Sequence, residues 1–356
     1  QMIYLKPIKI IVVGDPGSIH TACFVKILQE LRYRIKVFHC EYSYCQNELL
    51  KNAAINVSFP YNEAAHGNVL EGFPKFAETL SNLIRNHPRL YKFFVRKIER
   101  FRRRGGGKRA KQLAKLIQTW RPDLVISLKM QNDGYTVLKA KEILGLAFAP
   151  KWLHFTWGSD LEYFGKNPTT KKEHLPKIKN VLGSCDYYLA DSQRDVAQAA
   201  HFGLKGKNLG MFLATGGFNL GTIANLRQKS FKRNLILIKG REDELGGKAN
   251  NILKALSRIP DHLKPYKIKI IYYNLKMKVL AEERLNKNKI DYELVAQIPY
   301  KNILELFARS RLAIAASEIE GTPSFLLESM ALGSLPVHSD SETIKDWITD
   351  GQNCLL

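Results

Sequence analysis

The sequence predicts an α/β protein built from two doubly wound, Rossmann-like parallel-sheet domains. Three observations predict it. Near the start, Ile8–Val13 (IKIIVV) is a β-branched run that enters the turn Gly14-Asp15-Pro16-Gly17-Ser18; a helical pattern over Thr21–Leu31 and a strand at Ile35–Phe38 follow. Near the end, Leu312–Val337 (LAIAASEIEGTPSFLLESMALGSLPV) reads as strand, loop, helix, strand. Strands joined through a helix pair in parallel. Finally, 356 residues, 45% of them hydrophobic, are enough for two separate cores.

Lys and Arg total 55 against 33 Asp and Glu, a formal net charge of +22. Such an excess favours an anionic partner: a membrane surface, a nucleic acid or a phosphorylated substrate. The five cysteines (Cys23, Cys40, Cys45, Cys185 and Cys354) are odd in number and form no C-x-x-C pair, so a reduced cytoplasmic setting without structural zinc is expected. No apolar run reaches the length of a membrane span, and Ile8–Val13 is too short for a signal peptide. No repeat of solenoid period is present.

In the N-terminal half, the Gly14–Ser18 turn lets backbone approach a diphosphate, but it is not G-x-G-x-x-G and serves equally as a tight turn. The stretch Arg85–Trp120 is dominated by Arg and Lys, with Leu90, Phe93, Phe94, Ile98 and Phe101 on one helical face. Gly105-Gly106-Gly107 is expected to break it before a second basic helix from about Lys108 to Trp120. Two readings are open: an amphipathic helix lying on an anionic membrane, or an apolar face packed on the domain with solvated charges. No DNA- or RNA-binding module accompanies the charge, so nucleic acid is not expected. Strands are expected at Asp123–Leu128, Trp152–Thr156, Cys185–Ala190 and Leu209–Ala214. Asp191-Ser192 is a candidate N-cap for a helix through His201. His154 lies on a strand, where a packed histidine and a cleft histidine are both compatible with the pattern. Asp160, just past a strand's C-terminal edge, is the better cleft candidate.

Arg227–Arg233 reads as a hinge, giving domains 1–225 and 226–356. The C-terminal half then offers strands at Leu235–Ile238, Lys267–Tyr273 and Tyr292–Ile298, and a helix over Lys301–Ser310. In Leu312–Val337, Glu320 falls in the loop at the strand's C-terminal edge and Glu328 about one turn inside the helix. Backbone N–H groups from Gly321 through Thr322, Pro323 (which has none) and Ser324 to Phe325 face the same crevice, a geometry that suits an anion. Carboxylates accept hydrogen bonds from sugar hydroxyls and repel phosphate. A diphosphate with a sugar at each end, a nucleotide-sugar, satisfies all of these groups. The competing reading is a solvated loop charge and a surface helix residue.

The wording E-G-T-P-S-F-L-L-E-S-M-A-L-G-S-L-P-V resembles the donor-site signature of the retaining glycosyltransferases of family four, which have the GT-B fold. Ser329 replaces the usual Ala, and Leu335 precedes Pro336. Gly14–Thr21 is similar to the family's N-terminal loop, H-F-T-W-G-S-D to its H-x-x-H-G-x-D region, and Asp350-Gly351-Gln352-Asn353 to its D-G-x-N-G turn. Trp157 stands where many members have a histidine. The resemblance implies two domains facing a cleft and sugar transfer from a UDP- or GDP-linked donor with retention. It implies no metal and no cofactor beyond the substrate. Further helices usually follow the point corresponding to Leu356.

The resemblance also implies roles. Glu320, Asp160 and His154 are the catalytic candidates. Gly17, Lys239 or Arg241, Lys248, Gln297, Ile298, Glu320, Gly321–Phe325 and Glu328 fall on the donor, with the cations on the diphosphate. Ser18, His20 and Trp157 fall on the acceptor side. A saccharide or lipid-linked acceptor and a place on the inner face of the membrane, through residues 85–120, would suit the charge. The alternatives are a nucleotide-sugar epimerase of the same fold and a non-catalytic membrane- or polyanion-binding protein.

Overall fold

The computed structural model describes residues 7–40, 47, 49–50, 56–58, 106–213, 217, 219–229, 232–296 and 298–356. The chain divides into two units, Gln1–Gly216 and Gly217–Leu356, each with its own sheet.

In the first unit, β1 (Lys9–Val13), β2 (Arg34–Phe38), β3 (Asn56–Ser58), β4 (Leu124–Leu128), β5 (Lys151–Thr156), β6 (Tyr187–Ala190) and β7 (Lys207–Met211) form one sheet. Its order is β3-β2-β1-β4-β5-β6-β7, and every pair is parallel. The helices are α1 (Ile19–Glu30), α2 (Gly106–Trp120), α3 (Tyr135–Leu144), α4 (Ser159–Lys166), α5 (Pro168–Leu182) and α6 (Gln193–His201). β1 shows why its run is apolar throughout. Ile11 and Val13 enter one core with Phe38, Val125 and Trp152, while Ile10 and Val12 enter another with Ala22, Val25 and Ile126. A strand buried on both faces has no solvent side to make polar.

The second unit repeats the plan. Its strands are β8 (Leu235–Lys239), β9 (Lys267–Ile271), β10 (Glu293–Leu294), β11 (Ser310–Ala315) and β12 (Leu335–His338), in the order β10-β9-β8-β11-β12, all parallel. Its helices are α7 (Leu220–Ala224), α8 (Ala249–Leu256), α9 (Pro260–Leu263), α10 (Leu275–Ala281), α11 (Tyr300–Arg309) and α12 (Ser324–Leu332). Ile236 and Ile238 pack on one face, Leu235 and Leu237 on the other. Strand order reverses between β1 and β4 in the first sheet and between β8 and β11 in the second. Those are the points where doubly wound sheets open a crevice at their C-terminal edges.

Four expectations need adjusting. Strand β9 ends at Ile271 rather than Tyr273, because Tyr272 turns to φ +54. The expected strand Tyr292–Ile298 reduces to Glu293–Leu294. Helix α7, placed before residue 225 by sequence, buries Ile223 in the second unit's core with Leu235 and Phe307. Finally, α2 begins at Gly106 rather than near Lys108, so it includes Gly106 and Gly107, two of the three glycines expected to precede it. Residues 85–105 lie outside the described residues. Over 106–120 the apolar face is taken up by the core: Ala110, Leu113, Ala114 and Ile117 are buried, as is Arg109, whose guanidinium lies 3.9 Å from the centre of the Phe38 ring and donates to the His39 carbonyl. Lys108, Lys111 and Lys115 remain exposed. No helix among the described residues is long and apolar enough to cross a membrane.

Candidate functional site

The crevice of the second sheet is assembled from the ends of β8 and β11. Past β8, Gly240 allows close approach to the neighbouring turn: a Cβ there would lie 2.6 Å from Ile270 Cγ2 and 2.8 Å from Tyr273 Cβ. The following loop folds onto the loop after β11. Lys248 N–H donates to the Ala316 carbonyl (2.9 Å) and Glu318 N–H to the Gly246 carbonyl (2.8 Å). Gly246 sits at φ +119, and a Cβ there would meet Ile319 N at 2.8 Å. Only glycine satisfies both demands.

This clasp delivers Glu320 to Lys239. Lys239 Nζ lies 2.5 Å from Glu320 Oε1, and Ser317 Oγ donates to the same oxygen at 2.6 Å. Thr343 Oγ1 holds the Glu320 carbonyl at 3.3 Å. Glu320 is buried and Lys239 is partly buried. Burial by itself would raise the Glu320 carboxyl. The Lys239 charge, the two hydrogen bonds and the more distant Arg241 outweigh it and bring the group down to about 2. Glu320 is therefore a fixed anion.

Helix α12 begins three residues past Gly321 with no side-chain cap. Ser324 N–H turns back to the Thr322 carbonyl and Leu326 N–H to the Pro323 carbonyl, each at 2.9 Å, and the helix start carries the positive end of the dipole. Glu328 lies one turn in, buried, with Oε1 accepting from the Tyr300 hydroxyl at 2.8 Å. Burial pushes Glu328 up to about 7, against the opposing effects of Tyr300 and Lys239. The two acids flanking the helix start thus differ: one is firmly charged, the other titrates near neutrality. Phe325 points its ring into the core, 4.9 Å from the Phe307 ring centre, so only its backbone can serve a ligand. Gly333 ends α12 at φ +77, as its position in the sequence requires.

The remaining cations are also matched with acids. Arg241 Nε is 2.6 Å from Asp243 Oδ2, and Lys248 Nζ is 3.0 Å from Glu318 Oε2. Asp243, in the loop between Arg241 and Lys248, is thus the partner of Arg241. Ile298 packs against the core beside Val295 and Leu304. Gln297 lies outside the described residues.

In the first unit, the β5–α4 turn is fixed from beneath. Asp160 Oδ2 accepts from Trp157 N (2.9 Å) and Met130 N (2.8 Å), and Asp191 accepts from Gly158 N at 3.2 Å. Burial lifts Asp160 to about 7. The Met130 bond anchors a turn in which Lys129 (φ +75) and Asn132 (φ +64) both adopt left-handed backbone. His20 meets Trp157 edge-on, ring centres 5.5 Å apart. Gly17 N–H donates to Asp15 Oδ1 at 2.9 Å, and Ser18 precedes α1 without capping it through its side chain. His154 is a correction. It is fully buried on β5, Nδ1 is 2.8 Å from Ser127 Oγ, and burial lowers it to about 3. It is a neutral core histidine, since the alternation of β5 turns it inward between Trp152 and Tyr188.

The sequence profile described as Glycosyl transferases group 1 matches residues 224–356. This stretch is a glycosyl transferases group 1 domain. The whole chain has the GT-B fold. It aligns with Anabaena HepE, solved with UDP and glucose, at TM-score 0.63 and 13% identity, over 98% of this chain and 85% of that one. Sucrose-phosphate synthase from Thermosynechococcus elongatus gives TM-score 0.66 and 12% identity over 98% and 85%. A UDP-N-acetylglucosamine 2-epimerase gives 0.57 and 13% over 96% and 82%. No curated protein matches the sequence.

Within the glycosyl transferases group 1 domain, the structure brings Lys239, Glu320 and the start of α12 together, with Glu328 on the same helix. Sequence reasoning missed Ser317 and Tyr300, which hold the two glutamates. Ser317 stands three residues before Glu320, a spacing that carries no signal by itself. Tyr300 is distant in sequence, and only the packing of α11 on α12 brings it to Glu328.

Proposed function

We propose that this chain transfers a sugar from a nucleoside-diphosphate sugar, UDP- or GDP-linked, to an acceptor hydroxyl with retained configuration. The observation that carries the reading is the Lys239–Glu320 pair beside the start of α12, which has no side-chain cap, with buried Glu328 one turn along. The start of α12, through the Phe325 N–H and the positive end of its dipole, takes the diphosphate with Arg241 and Lys248 as charge develops on it. Lys239 sets Glu320, which accepts from donor-sugar hydroxyls. Glu328 accepts from the ribose.

In the transfer step, the bond from the anomeric carbon to the diphosphate oxygen breaks. The acceptor oxygen bonds to that carbon from the same face, and its proton passes to the departing diphosphate. Fixed positive charge stabilises the leaving group, so neither a metal nor another cofactor is assigned. On the acceptor side we assign Ser18, His20 and Trp157, with Asp160 holding the Trp157 turn. The acceptor is a saccharide or a lipid-linked saccharide. An anionic membrane surface on the cytoplasmic side is assigned to residues 85–120, of which Lys108, Lys111 and Lys115 are exposed. No nucleic-acid partner is assigned.

A second reading, nucleotide-sugar epimerisation, is supported by the likeness to an enzyme of that activity. One experiment separates the two. The chain is incubated with UDP- and GDP-sugars, with and without saccharide acceptors, and products are followed by NMR. Transfer predicts nucleoside-diphosphate release that needs acceptor, a glycoside of unchanged anomeric configuration, and loss of turnover in E320Q with nucleotide binding retained. Conversion of donor to an epimer without acceptor would favour the second reading, and undiminished turnover by E320Q would remove Glu320 from the donor site.

A further inference from the structure

Among the described residues of the second unit, the aromatic side chains most open to solvent are Tyr272 and Tyr300. Tyr300 donates to Glu328 at 2.8 Å, and Tyr272 directly follows Ile271, the β9 residue that pairs with Lys239 of β8. Tyr272 follows directly on β9 at φ +54, a left-handed conformation that costs a bulky residue free energy and that glycine adopts freely. The turn packs closely on the backbone just past β8: a Cβ at Gly240 would meet Tyr273 Cβ at 2.8 Å. Core packing does not compensate, since Tyr272 is 51% exposed. A strained, exposed ring at the C-terminal edge of the sheet, next to the end of β8 that carries Lys239, marks a functional position.

We propose that Tyr272 is a specificity-determining residue, its ring serving as the platform on which the base of a nucleoside diphosphate stacks. This rests on the nucleotide reading of the same site. With Glu328 on the ribose, the adjoining base falls over a neighbouring aromatic face. Every base has a π-face, so the ring favours nucleoside diphosphates over simple sugar phosphates without choosing between uracil and guanine.

The test measures UDP and GDP affinity by calorimetry, and Tm, for the full chain and its Y272F and Y272G variants. Y272F should bind as the parent does. Y272G should lose roughly ten-fold or more in affinity for both nucleotides, with Tm unchanged or raised because the strain is gone. Unchanged nucleotide affinity in Y272G, or an equal loss in Y272F, would overturn the stacking role. A lowered Tm with unchanged affinity would make the ring a structural prop. Failure of the parent chain to bind either nucleotide would overturn the nucleotide reading and this one with it, an outcome distinct from the variant results.

Discussion

Lys239 Nζ and Glu320 Oε1 meet at 2.5 Å, the lysine at the end of β8 and the glutamate in the loop past β11. Neighbouring strands thus place opposite charges, the glutamate buried and the lysine partly so, at the point where the second sheet reverses its order. A charge held there without its partner is unfavourable, so the two residues depend on each other.

Lys239→Met should therefore destabilise the second unit by about 3–5 kcal/mol, because Glu320 is left buried and uncompensated. Lys239→Met combined with Glu320→Gln should recover much of the loss. Urea midpoints of the single and double variants check this, and additive losses would contradict it.

The two glutamates impart opposite pH dependence. Glu320 is lowered from 4.5 to about 2, so its stabilisation is present above the unfolded value and is lost as pH falls through about 2. Glu328 is raised from 4.5 to about 7, so the folded state holds its proton more tightly and stability declines as pH rises from about 4.5 to about 7. Glu328→Gln should remove that decline, and Glu320→Gln should blunt the acid-side loss. Urea midpoints at several pH values in those two windows read both effects.

Tyr300→Phe removes the hydrogen bond that favours the Glu328 carboxylate. The Glu328 titration should move further up. If the carboxylate accepts from ribose hydroxyls, the pH at which nucleotide affinity reaches half its maximum should move with it. Calorimetric titration of UDP across pH 6 to 9 would show the displacement, and an unmoved midpoint would detach Tyr300 from the ligand site.

Gly246→Ala tests the clasp without touching a charge. At φ +119, with Ile319 N at 2.8 Å from the new Cβ, the loop after β11 must shift. The expected cost is about 1–3 kcal/mol, with lower turnover because Glu320 moves. Unfolding and turnover measured together check both parts.

Much of this was legible in sequence because it depends on local pattern. Ile10–Val13 of β1 and Leu235–Ile238 of β8 are buried on both faces and read as apolar runs, and β11 shows the same from Leu312 to Ala315 with partial burial. Gly333 and the spacing of Glu320 and Glu328 fix α12 and the acids around its start. What could not be read depends on contacts distant in sequence. Arg109 looked like a surface charge, but the His39 carbonyl and the Phe38 ring make its burial tolerable. His154 was ambiguous because strand alternation gives two faces without saying that helices cover both. Tyr300 carries no signal until α11 and α12 bring it to Glu328, and Tyr272 none until β9 pairs with β8 beside Lys239.

The most direct measurement is a crystal structure of the chain soaked with UDP. The account predicts the diphosphate at the start of α12, within hydrogen-bond distance of the Phe325 N–H, with a ribose hydroxyl on Glu328. Nucleotide found instead at the Gly14–Ser18 turn of the first unit, with the start of α12 untouched, would contradict it.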